Sequence, residues 1–131
     1  MRPYPKIDTL FERNAAFKIT DVLRRPIFSH ISKWVVTEKI DGTNIRASMV
    51  FGSNRVEFNG RSDNAQIHAD LTRYLYETLT PDKFGSLFIA ETEQGTSITL
   101  FGEGYGAGIQ KGGDFRPDKA FILFDTLIEC G

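Results

Sequence analysis

The segment Glu38-Lys39-Ile40-Asp41-Gly42-Thr43-Asn44-Ile45-Arg46 brings together residue types that suit attack on a phosphate ester. A lysine at the end of an apolar strand is partly desolvated, which favours the neutral amine able to act as a nucleophile. The Asp41-Gly42 turn lets backbone approach a ligand closely, and Asn44 and Arg46 on the next strand offer hydrogen bonds and positive charge. The same residues also fit a surface strand that ends in a tight turn with a solvated lysine. In Phe58-Asn59-Gly60-Arg61-Ser62-Asp63, the rigid fork of Arg61 suits a phosphate or carboxylate that Gly60 admits, although an exposed turn before a helix cap reads the same way. Glu103 stands among the glycines of the 102–113 segment, where a carboxylate beside bare backbone N–H groups suits a ribose hydroxyl or a divalent cation. The loop is neither a dinucleotide fingerprint nor a phosphate-binding P-loop, and by itself it equally fits a flexible connector. Finally, Phe121-Ile122-Leu123-Phe124-Asp125 is an apolar run with an aromatic near its end, either core or a platform for a base.

These residues need elements to hold them. Residues 1–33 read as irregular, with Pro3, Pro5 and Pro26 as breakers. Trp34–Ile40 reads as a β-branched strand, and Ile45, Ala47, Met49 and Phe51 alternate with Asn44, Arg46 and Ser48 as a half-buried strand. Gly52-Ser53-Asn54 turns it into a returning strand over Arg55–Asn59. Asp63 or Asn64 is expected to cap a helix with Ile67, Leu71, Tyr74, Leu75 and Thr78 on one face, ended by Thr80-Pro81. Strands are expected at Leu87–Thr92, Ser97–Phe101 and Ala120–Leu127, with a loop over Gly102–Gly113. Mostly strands with one clear helix and short connections predict an α+β domain on antiparallel sheet.

The 131 residues suffice for one domain, and nothing in the sequence marks a boundary. The net charge of -1 excludes binding of nucleic acid or membrane by bulk charge, so phosphate recognition must be local. Lys39 and Arg61 lie in the more basic N-terminal half. A single cysteine, Cys130, excludes an intrachain disulfide and a cysteine-based zinc site, and His30 and His68 are far apart. His30, His68 and Cys130 read as solvated or inert. With no apolar leader and no long apolar run, the expectation is a soluble cytoplasmic protein.

Taken in order, the four segments resemble the motifs of the covalent nucleotidyltransferase superfamily, and specifically ATP-dependent RNA ligases of the phage RNA ligase 2 type. Lys39-Ile40-Asp41-Gly42 with Thr43-Asn44 resembles motif I, Gly60-Arg61-Ser62 the arginine motif that follows it, Phe101-Gly102-Glu103 motif III and Phe121 to Asp125 motif IIIa. The opening Tyr4-Pro5-Lys6-Ile7-Asp8 is similar to that family's first segment. The resemblance implies an antiparallel-sheet nucleotidyltransferase (adenylation) domain. It also implies ATP and Mg²⁺ as cofactors and RNA ends or a nicked duplex as partner. Lys39 would take AMP from ATP and pass it to an RNA 5′-phosphate, after which a 3′-hydroxyl displaces AMP. Glu38, Asn44, Arg61 and Glu103 would line the nucleotide, Glu103 would meet the ribose or metal, Phe124 would stack on the base and Gln110 would face RNA. Asp41 completes the catalytic set with Lys39, Arg61 and Glu103. Motif I is shared with DNA ligases and capping enzymes, and the Thr43-Asn44 context and the neighbourhood of Glu103 favour RNA ligase. The family continues to an acidic motif IV and a paired-lysine motif V, which residues 1–131 lack. The chain is therefore expected to be the N-terminal part of such a domain, relying on a C-terminal segment. A binding module that keeps the pocket without the chemistry is the alternative.

Overall fold

A computed structural model describes residues 2–88 and 94–130, which divide into two units: Pro5–Lys39, and Ile40 onward together with the first four residues. The segment Leu87–Thr92, expected as a strand, falls partly on residues 89–93, outside the described residues. Its first two residues, Leu87 and Phe88, lie in a helix. Among the described residues no helix is long and apolar enough to cross a membrane.

The Pro5–Lys39 unit contains order where none was expected. Strands β1 (Phe11–Arg13) and β2 (Ile19–Leu23) pair antiparallel. Their turn is built by Asn14, whose side-chain oxygen accepts from the Ala16 and Lys18 amides, with Phe17 in the left-handed region at φ 59°. Asp8 receives hydrogen bonds from Arg24 and Arg25, and the Arg25 guanidinium foremost holds its carboxyl below the usual range. The expected strand over Trp34–Ile40 does not form. Val35 and Val36 are 93% and 89% exposed, and β-branched residues favour a strand only where a neighbouring strand and a buried face receive them.

The larger unit is a four-stranded antiparallel sheet in the order β4-β3-β5-β6, from β3 (Thr43–Val50), β4 (Val56–Asn59), β5 (Ser97–Tyr105) and β6 (Ala120–Glu129). It carries α1 (Ala69–Thr78) and α2 (Pro81–Phe88), so the protein is α+β with antiparallel sheets. The alternation read in β3 holds: Ile45, Ala47 and Met49 are buried in two apolar clusters, with Leu71, Leu75 and Ile109 in one and Val56, Phe84, Ile98 and Leu100 in the other. Thr80-Pro81 ends α1 and also begins α2, since proline is accommodated in a first helical turn and Thr80 Oγ1 accepts from the Lys83 amide. The cap of α1 is His68, whose Nδ1 accepts from the Asp70 amide at 3.2 Å; Asp63 and Asn64 do not serve. β5 runs on to Tyr105 and takes Gly102 and Gly104 into the sheet. A Cβ on Gly104 would strike Leu71 and one on Gly102 the Phe121 ring, so both glycines make room for core side chains.

Candidate active site

The face of the sheet turned away from the two apolar clusters gathers most of the chemistry. In the antiparallel register Asn44 lies opposite Glu103, Arg46 opposite Phe101 and Ser48 opposite Thr99, so each pair shares that face. Ser48 and Thr99 hydroxyls bond at 3.1 Å. Glu103 is half-buried and accepts the Gly42 amide at 3.3 Å, which ties the Asp41-Gly42 turn to β5. Gly42 does not need a left-handed backbone; it needs space, because a Cβ would collide with the Gly104 carbonyl and lie 3.0 Å from Tyr105 Cβ. Beside Glu103, the Asn44 Oδ1 atom is buried and has no hydrogen-bond partner among the described residues. A buried acceptor in that state can take a donor from a bound hydroxyl or amine.

At the β6 edge the register slips: Phe101 pairs with Asp125 and Gly102 with Leu123, so Phe124 is the extra residue of a β-bulge. Bulges re-aim side chains and recur beside active sites. Phe124 is 47% exposed, and its ring meets Tyr4 edge-on at 5.0 Å. Tyr4 also packs on Phe101 at 4.9 Å and donates its hydroxyl to Asp125 at 3.1 Å. Burial first, and then the Asp125 carboxylate, push the Tyr4 phenol above its usual range. Sequence resemblance places Tyr4 only in the opening segment, and a separation of 121 residues from Asp125 leaves no local signal of its part in this cluster.

Arg46 corrects another expectation. It is 1% exposed and does not offer its charge to solvent: Nε donates to the Gly60 carbonyl at 2.8 Å and Nη2 to Asp63 at 2.8 Å. Arg61, between those two partners, is exposed. The glycine-rich segment is held rather than loose. Gly106, Gly108 and Gln110 take positive φ, Ile109 is buried, and Lys119 bonds the Ala107 carbonyl. Gln110 itself is exposed.

The structure thus brings Asn44, Glu103 and Phe124 onto one sheet, with Arg61 in a turn fastened to it. Asp41 is exposed just ahead of β3. Glu38 and Lys39 belong to the N-terminal unit, and Lys39 is exposed on an irregular segment, without the burial that a strand end would give it. Among the described residues no three His, Cys, Asp or Glu side chains come together to hold a metal ion. Glu103 is a single carboxylate, which could share a hard cation only with ligands from outside the chain.

Comparison with curated proteins and with solved structures returned no match. Residues 32–130, most of the chain and every site residue named above except Tyr4, match the family model described as RNA ligase. The chain therefore belongs to the RNA ligase family.

Proposed function

We propose that the protein is an ATP-dependent RNA ligase that works through a lysyl-AMP intermediate on a nucleotidyltransferase domain. The Lys39 amine attacks the α-phosphorus of ATP; a P–N bond forms, the bond to pyrophosphate breaks and the amine's proton leaves to solvent. An oxygen of an RNA 5′-phosphate then attacks the same phosphorus and releases Lys39, and a 3′-hydroxyl attacks the activated RNA phosphate and expels AMP. Mg²⁺ would supply neutralisation of the pyrophosphate charge.

The observation that carries the reading is the Asn44–Glu103 pair, a buried unsatisfied acceptor beside a carboxylate anchored by the Gly42 amide. Such a pair presents acceptors to ribose hydroxyls. Lys39 is three residues before Gly42 in the sequence, so chain geometry alone keeps its Cα within roughly 11 Å of that turn. Phe124, aimed by its bulge, offers a ring face to the base, and Arg61 a planar fork to a phosphate. Asp41 stands just ahead of Gly42, exposed at the start of the turn into β3.

The exposure of Lys39 favours a second reading, a nucleotide- or RNA-binding module without the chemistry. Intact mass after incubation with ATP and Mg²⁺ separates the two. A gain of one adenylyl group that then passes to 5′-phosphorylated RNA supports the ligase. Saturable ATP binding with no gain in mass supports the module.

A further inference from the structure

A charged side chain buried in the middle of a sheet face is costly, and an apolar residue of similar size would usually be at least as stable there. Arg46 is such a side chain, 1% exposed, two residues beyond Asn44 on β3. Its guanidinium spans the Gly60 carbonyl and the Asp63 carboxylate, both at 2.8 Å, the first and last residues of the turn that carries Arg61. The turn has little slack. Gly60 is buried, a Cβ on it would lie 2.8 Å from Ala65 Cβ, and the Ala65 amide closes the turn on the Ser62 carbonyl at 3.1 Å. Asp63 is 64% exposed on its side chain, so the pair is bought at the cost of burying Arg46 while its partner stays in water.

We propose that Arg46 and Asp63 are positioning residues that hold the backbone on both sides of Arg61 in one conformation and so fix where the Arg61 guanidinium meets a phosphate. The planar fork of arginine reaches two acceptors at a set spacing; a lysine keeps the charge and reaches only one. A turn already ordered before binding spares the ordering cost when the phosphate arrives. The identity of that phosphate rests on the ligase reading above; the grip on the turn does not.

The test uses the full chain with Arg46→Lys and Asp63→Asn, each alone and combined with Arg61→Ala. The first readout is trypsin cleavage after Arg61, relative to cleavage after Arg55 in the β3–β4 turn. The second is KM against kcat for ATP in adduct formation. Each single variant should speed the relative cleavage after Arg61 and raise KM for ATP, by about tenfold for groups coupled at this distance. In the Arg61→Ala background the same substitutions should change KM by less than about twofold, because the residue they position is gone. Unchanged cleavage, or an undiminished KM effect without Arg61, overturns the proposal and leaves Arg46 merely structural. If the wild-type chain forms no adduct, the ligase reading fails while the cleavage readout still decides whether Arg46 holds the turn. Asp63→Asn, at an exposed side chain, carries the test if Arg46→Lys does not fold.

Discussion

Gly42→Ala isolates the geometry of the proposed site with one methyl group. The Cβ would collide with the Gly104 carbonyl oxygen, a backbone atom held in β5, and would lie 3.0 Å from Tyr105 Cβ and 3.1 Å from Glu103 Cγ. None of these can swing aside as the end of a long flexible side chain does. Overpacking of this kind costs about 1–3 kcal/mol. Restricting the unfolded chain returns about 0.4–1 kcal/mol, and no left-handed backbone penalty enters, since Gly42 has no positive φ. A net loss of about 1–2 kcal/mol is expected, most of it at the mouth of the site, where the Gly42 amide must move away from Glu103. Urea unfolding followed by far-ultraviolet circular dichroism gives the stability term, and ATP titration of the folded variant gives the site term. Both the unfolding midpoint and the ATP affinity should fall. If both stay at wild-type values, the Gly42–Gly104–Glu103 packing does not exist as described.

Gly85→Ala is the matching control: among the described residues nothing beyond the helix's own backbone and its chain neighbours lies within 4 Å of the added methyl and the residue is inside α2, so it should stabilise the protein by about 0.8–1 kcal/mol in the same urea titration. Phe124→Ala should weaken ATP binding by about 1–3 kcal/mol, whereas Phe124→Trp should keep it in isothermal titration; equal affinity in both would return Phe124 to a purely structural place in the bulge. The Tyr4 phenol, isolated by difference against Tyr4→Phe in an ultraviolet pH titration, should ionise above the usual value of about 10. Asp125→Asn should lower that value yet leave it above the usual one, because burial, the largest single cause, remains. Since the folded pKa is raised, the stability this group contributes is fully present below about pH 10 and is lost as pH rises through the Tyr4 value.

Period-two alternation made β3 legible, because its core face is fully buried and a one-residue slip would have exposed Ile45, Ala47 and Met49. The helical stripe of α1 was legible for the same reason. The second helix was not: Thr80-Pro81 reads as a stop, and only the packing of Phe84 into the core identifies it as a start too. Gly102 and Gly104 read as loop because glycine weakens a strand, yet here each is the space that Phe121 or Leu71 fills. Motif order singled out Asn44, Glu103 and Phe124, but their sharing of one face depends on the β3–β5 register and a bulge that no local pattern encodes. The alternation of a half-buried strand puts Arg46 on the solvent side with Asn44 and Ser48. It is instead buried and bonded to the 60–63 turn, and Asp63, 17 residues on, is the one sequence hint of a counter-charge.

Peptide mapping of the protein after incubation with ATP and Mg²⁺, with Lys39→Ala alongside, decides whether Lys39 is the nucleophile. One acid-labile adenylyl group is expected, carried by the peptide that contains Lys39 and absent from the variant. An adenylyl group on any other residue, or none on a chain that demonstrably binds ATP, would contradict it.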